Sequence, residues 1–143
     1  MRAAENHITN VIRGICLVHP FFWGSEPFGS EIDMDFRALT EKMWSFMYPS
    51  AKRVDDPMCN PFVPGAPSIS ILGCKRVLVC VAGKDPLKHR GGFYVKELKR
   101  SGWKGEEIEL FESEEDEHEF HLYNPDGESA QLLFKCIASF LNK

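Results

Sequence analysis

No apolar run long enough to span a bilayer, roughly eighteen residues, occurs anywhere in the sequence. The segment Met1 to Asn10 carries Arg2 but no apolar stretch behind it, so it does not read as a secretory signal. There is no excess of positive charge: 17 basic against 21 acidic side chains leave a formal charge of -4, which gives no electrostatic reason to expect nucleic acid as a partner. The acidic excess is gathered between Glu112 and Glu119. No Cys-x-x-Cys pair exists among the five cysteines, Cys16, Cys59, Cys74, Cys80 and Cys136, and their number is odd. Three of them, Cys16, Cys80 and Cys136, lie in apolar runs, so reduced, buried thiols are the first reading, with a disulfide framework or a zinc site as the alternatives. A cytoplasmic, or also nuclear, location follows by default, with no membrane contact.

Length and composition suit a single modest globular domain: 143 residues, 43% apolar and 27% charged. Val11 to His19 is short, β-branched and apolar nearly throughout, as expected of a strand covered on both faces, and Pro20 ends it. Residues 21–70 differ in kind, being rich in Phe, Trp, Pro and Gly. Within them Phe36, Leu39, Met43 and Met47 recur at helical spacing and predict one amphipathic helix with that stripe inward. A connection this long between strands is usually functional, such as a lid.

Arg76 to Ala82 is the clearest strand, and Gly83-Lys84-Asp85-Pro86 turns the chain at its end. Gly92 to Ser101 predicts a helix with Tyr94, Val95 and Leu98 inward and Lys96, Lys99 and Arg100 outward, stopped by Gly102. Glu106 to Phe111 alternates acidic and apolar residues as an exposed edge strand does. Gly127 to Leu141 predicts a closing helix that buries Leu132, Leu133, Cys136, Ile137 and Phe140. Strands separated by helices predict an α/β fold, with parallel strands, crossover helices and a partly helical insertion.

In such sheets ligands bind beyond the carboxyl ends of the strands. Asp85 lies three residues past the end of one strand, and His118 lies in the loop after the next. The connectivity therefore brings a carboxylate and an imidazole toward one rim, the pair that stands behind a catalytic nucleophile. As plainer roles, Asp85 could be a turn residue before Pro86 and His118 a solvated loop histidine. His118 and His121 beside acidic neighbours could hold a metal, but the three-residue spacing suits one face of a helix and this loop follows a strand. No metal and no cofactor is expected. His19 reads as a residue that packs or bonds at a strand end. Phe21, Phe22, Trp23 and Phe28 could line an acyl pocket or simply pack a core.

These segments resemble the plant carboxylesterases, α/β-hydrolases related to hormone-sensitive lipase. The resemblance lies in Val11 to Gly24, ending His19-Pro20-Phe21-Phe22-Trp23-Gly24; in Asp55-Asp56-Pro57 with Asn60-Pro61-Phe62; in Leu72 to Val79; in the acid turn Ala82 to Leu87; and in the histidine loop Asp116 to Leu122 followed by Asn124-Pro125. It implies that Asp85 and His118 are the acid and base of a catalytic triad and that the substrate is a small ester; Phe21, Phe22, Trp23, Leu87 and Phe120 are the candidate residues of the substrate pocket. Such enzymes carry a Gly-x-Ser-x-Gly elbow and an HGGG-type oxyanion loop. Neither occurs here: Gly24-Ser25 and Gly29-Ser30 lack the flanking glycine, and His89-Arg90-Gly91-Gly92 falls after the acid, where it opens a helix. The resemblance thus implies a C-terminal portion that starts just downstream of the nucleophile. Such a portion is expected to be inactive alone, since loss of the serine costs on the order of 10⁶ in kcat, and to expose an apolar strand edge that invites self-association. A non-catalytic alternative also follows from the resemblance, because plant hormone receptors of this fold bind a ligand where the ester would sit. In those receptors the triad histidine is replaced, whereas His118 is present here.

Overall fold

A computed structural model describes residues 12–31, 34–51 and 54–143. The chain forms strand β1 (Gly14–Val18), helix α1 (Met34–Met47), a 3-10 turn (Ile69–Ile71), β2 (Arg76–Ala82), α2 (Lys88–Arg100), β3 (Glu107–Ser113), the single helical turn α3 (Phe120–Tyr123) and α4 (Glu128–Leu141). The three strands are parallel, in the order β1-β2-β3.

β2 explains why the sheet is covered on both sides. Successive side chains of a strand point to opposite faces. Val77, Val79 and Val81 pack with Tyr94, Val95 and Leu98 of α2 on one face, together with Ile69, Leu72 and Cys74. Leu78 and Cys80 pack with Leu133 and Phe140 of α4 on the other. An apolar residue is therefore needed at every position, which is why the run is continuous and why its limits coincide with the predicted strand. α2 opens four residues earlier than Gly92, through His89-Arg90-Gly91-Gly92, and ends before Gly102 (φ 78°). Gly91 is a packing glycine, because a Cβ there would lie 2.6 Å from Cγ1 of Val81.

Three expectations are corrected. β1 covers Gly14–Val18 rather than Val11 to His19. Val11 lies outside the described residues, and His19 leaves the strand at φ 45° to turn the chain toward the rim. α1 forms, but its Leu39, Met43 and Met47 are 59%, 49% and 54% exposed. Its inward face carries Arg37 and Thr40, both buried, while Phe36, the one member of the expected stripe that turns inward, packs with Trp44 against Trp23, Cys59 and Leu87. Arg37 faces inward because its guanidinium donates to the carbonyls of Gly24 (3.0 Å) and Ser25 (2.7 Å), contacts that apolar spacing cannot reveal. Finally, Leu132 is half exposed (50%), since α4 presents Ala130, Leu133 and Phe140 to the sheet and Leu132 stands one helical step away.

The segment after β1 is anchored by buried charge. Glu31 is fully buried and binds Arg90 of α2 twice, Oε1 to Nε at 2.5 Å and Oε2 to Nη2 at 2.7 Å, with Arg37 at 3.5 Å. Both guanidinium groups lie over the ring of fully buried Trp23, at 4.8 Å and 5.5 Å from its centroid. Cation–π contact and fork-shaped ion pairing reinforce each other where water is excluded.

Candidate active site

The acid turn and the histidine loop are zipped together by their backbones. Gly83 N–H donates to Ser113 O (2.8 Å) and Lys84 N–H to Asp116 O (2.9 Å). Asp85, buried, accepts Leu87 N–H on Oδ1 at 2.8 Å, which starts the turn into α2. Its other oxygen, Oδ2, lies 2.6 Å from His118 Nδ1. Asp85 is thus a turn residue and an imidazole partner at once, one oxygen for each role. The His118 side chain is 37% exposed, and its Nε2, 3.7 Å from Glu119 Oε1, remains on the side away from Asp85. The His118 pKa is raised above its ordinary 6.5: the Asp85 hydrogen bond favours the cation, partial burial opposes it, and the charges of Asp85 and Glu119 add to the rise.

Behind His118 lies a cluster of rings. His19 stands 5.5 Å from His118, 5.6 Å from Phe120 and 5.2 Å from His121, centroid to centroid. His19 Nδ1 accepts the Glu119 N–H at 2.7 Å, and the His19 N–H donates to Cys80 O at 2.9 Å. Burial, followed by the charges of His118 and His121, lowers the His19 pKa to about 4. Among the described residues no group of three or more His, Cys, Asp or Glu side chains is disposed to hold a metal ion, and no helix is long and apolar enough to cross a membrane.

The five residues expected at a substrate pocket are scattered. Trp23 and Leu87 are buried in one packed cluster, with Phe21 against them. Phe120 packs beside His19 and on the α4 face of the sheet. Phe22 stacks on Tyr94 at 4.9 Å and lines a cavity of about 360 Å³ with Phe28, Asp55, Phe62, Arg90 and Phe93. Neither Asp85 nor His118 lines that cavity. The buried Glu31–Arg37–Arg90 group and the close approach at Gly83 went unread in the sequence. A charged residue in a Gly/Pro-rich loop carries no periodic signal.

A parallel sheet with helices on both faces, bearing an Asp–His contact beyond its strand ends, is the architecture of α/β hydrolases. Residues 1–122 match the family model described as the alpha/beta hydrolase fold, and the chain belongs to that family. It is 42% identical over 143 residues to a probable carboxylesterase 2 of Arabidopsis thaliana, covering 99% of this chain and 45% of the relative. It is 44% identical over 132 residues to a 2-hydroxyisoflavanone dehydratase of Glycyrrhiza echinata, covering 91% and 40%. Among solved structures it resembles a hyperthermophilic esterase from the archaeon Pyrobaculum calidifontis, with a TM-score of 0.65 at 19% identity, over 96% of this chain and 45% of that one. The chain therefore spans less than half the length of the relatives it matches.

Proposed function

We propose that this chain carries the acid–base half of a serine carboxylic ester hydrolase. The observation that supports the reading is the 2.6 Å contact of Asp85 Oδ2 with His118 Nδ1 at the sheet rim. In this reading Asp85 fixes the imidazole with its proton on Nδ1 and steadies the imidazolium. Nε2 takes the proton of a serine hydroxyl as its oxygen attacks the ester carbonyl, then gives that proton to the departing alkoxide. A water repeats the attack on the acyl-serine, with His118 again as base. The serine and the oxyanion donors are not supplied by a Gly-x-Ser-x-Gly or HGGG motif in this sequence, so the 143 residues by themselves are inactive. The residues after β1, with α1, serve as a lid over the substrate.

The test is an assay of short-chain p-nitrophenyl esters, with the chain alone and after joining it to an upstream segment that bears an elbow serine. Turnover only in the joined protein, lost on His118→Ala, supports the reading. Turnover by the chain alone, or by a joined His118→Ala protein, overturns it. The 44% identity to a protein named as a dehydratase supports a second use of the same base, removal of a carbon-bound proton as hydroxide leaves. Loss of water from a β-hydroxyketone without ester cleavage would favour that use. The non-catalytic reading requires instead that ligand binding survive His118→Ala with no turnover in any arrangement.

A further inference from the structure

Among the described residues, the only non-glycine residues with positive φ are His19 (45°) and Glu119 (56°), and they are hydrogen-bonded to each other. Side-chain-bearing residues stay in this region only where their surroundings over-determine it. Here two such residues, 100 positions apart, meet through one bond: Glu119 N–H to His19 Nδ1, 2.7 Å. Glu119 immediately follows His118, and the bonded N–H belongs to the peptide unit that joins the two residues, so the bond fixes how that peptide sits against the His118 backbone.

We propose that His19 is a positioning residue: by accepting the Glu119 N–H it holds the histidine loop in the left-handed turn that sets His118 against Asp85. The proposal rests on the reading of Asp85 and His118 as the acid–base pair. His19 is suited to the task. Its backbone N–H donates to Cys80 O of β2, so the residue that carries the ring is anchored to the central strand rather than to the loop it holds. It is only 6% exposed, which shields the bond from water. An accepting Nδ1 requires the proton to sit on Nε2, which is buried without a hydrogen-bond partner among the described residues. That tautomer is therefore selected by the one bond at Nδ1.

The groups facing His19 are His118, His121, Asp85 and Glu119. Burial is the largest cause that keeps His19 uncharged, the two histidines act in the same sense, and the two carboxylates oppose them. Its ring thus stays neutral, and still an acceptor, through the whole range in which His118 gains and loses a proton. The clamp does not open when the base works.

The experiment is nuclear magnetic resonance of the uniformly ¹⁵N-labelled 143-residue chain, which reads geometry whether or not any ester is cleaved. In the wild type, His19 should show a bare Nδ1, a protonated Nε2 and a nitrogen–nitrogen coupling across the bond to the Glu119 amide. A protonated Nδ1 on His19 would overturn the proposal without touching the esterase reading. Two variants then separate acceptor from packing. His19→Asn places an oxygen where Nδ1 stood and tolerates positive φ. It should retain both the raised His118 midpoint and slow Glu119 amide exchange. His19→Phe keeps the ring stack but no acceptor. It should speed exchange at Glu119 by about tenfold and return the His118 midpoint toward 6.5. A folded His19→Phe protein with an unchanged His118 midpoint sinks the idea. If His19→Phe does not fold, the wild-type coupling and the His19→Asn titration still decide it.

Discussion

Gly83 lies so close to Glu114 that a Cβ at this glycine would sit 1.8 Å from the Glu114 carbonyl oxygen. The acid turn and the histidine loop can approach only because residue 83 has no side chain. Gly83→Ala is therefore expected to push the two loops apart. The His118 pKa should fall toward its ordinary value, and stability should drop by about 2 kcal/mol or more, as for other overpacked sites. A histidine titration combined with urea unfolding checks both effects.

Asp85→Asn keeps the shape of the turn and removes the charge. The Asp85 hydrogen bond is the largest cause of the raised His118 pKa, so the midpoint should fall in this variant. A raised folded-state pKa stabilises the fold below 6.5, and that stability is lost as pH rises through the raised value. In Asp85→Asn this stretch of the stability–pH curve should flatten. Denaturant midpoints measured from pH 5.5 to 8.5 would reveal it.

His19 acts in the opposite direction. Its folded-state pKa is lowered to about 4, so between pH 6.5 and about 4 the unfolded chain takes up a proton that the folded chain refuses. Stability should decline as pH falls through this window, by up to about 3 kcal/mol in total. His19→Asn should remove that decline while leaving in place the loss of His118 stabilisation as pH rises above 6.5. The two slopes are separable in a single set of unfolding curves.

Glu31→Ala would leave the guanidinium groups of Arg37 and Arg90 over Trp23 without their shared carboxylate. Breaking a buried pair by removing one partner costs about 3–5 kcal/mol. The loss should appear as a lowered denaturant midpoint and as a red shift of tryptophan fluorescence as Trp23 is wetted. Glu106→Ala, whose ion pair with Lys75 is exposed on both sides, should change the midpoint little.

How far the sequence reached depended on periodicity. β2 was legible because both of its faces are covered, which leaves an unbroken apolar run with polar ends. α2 was legible in its buried residues, Tyr94, Val95 and Leu98, though its first turn hid behind two glycines. α1 was placed correctly, but of its predicted inward stripe only Phe36 packs inward. Its inward face is set by where Arg37 finds carbonyls and a buried carboxylate, and no hydropathy pattern encodes that. The meeting of Asp85 with His118 could be anticipated from the parallel topology together with the family resemblance. The part of His19 could not, since a hydrogen bond between residues 100 positions apart leaves no local trace.

That long-range bond has a consequence for the order of assembly. The rim joins residue 19, residue 85 and residues 118–119, so closing it means drawing together points spread over most of the chain. Such closures are slow, because the entropy of the intervening loops is lost before any contact offsets it. During synthesis β1 and β2 can pair, and α2 can dock on them, while the histidine loop is still inside the ribosome. The proton-handling corner is then built only after the sheet, with α4 still to follow, and a nascent chain stalled before Glu119 would hold a sheet with no working edge.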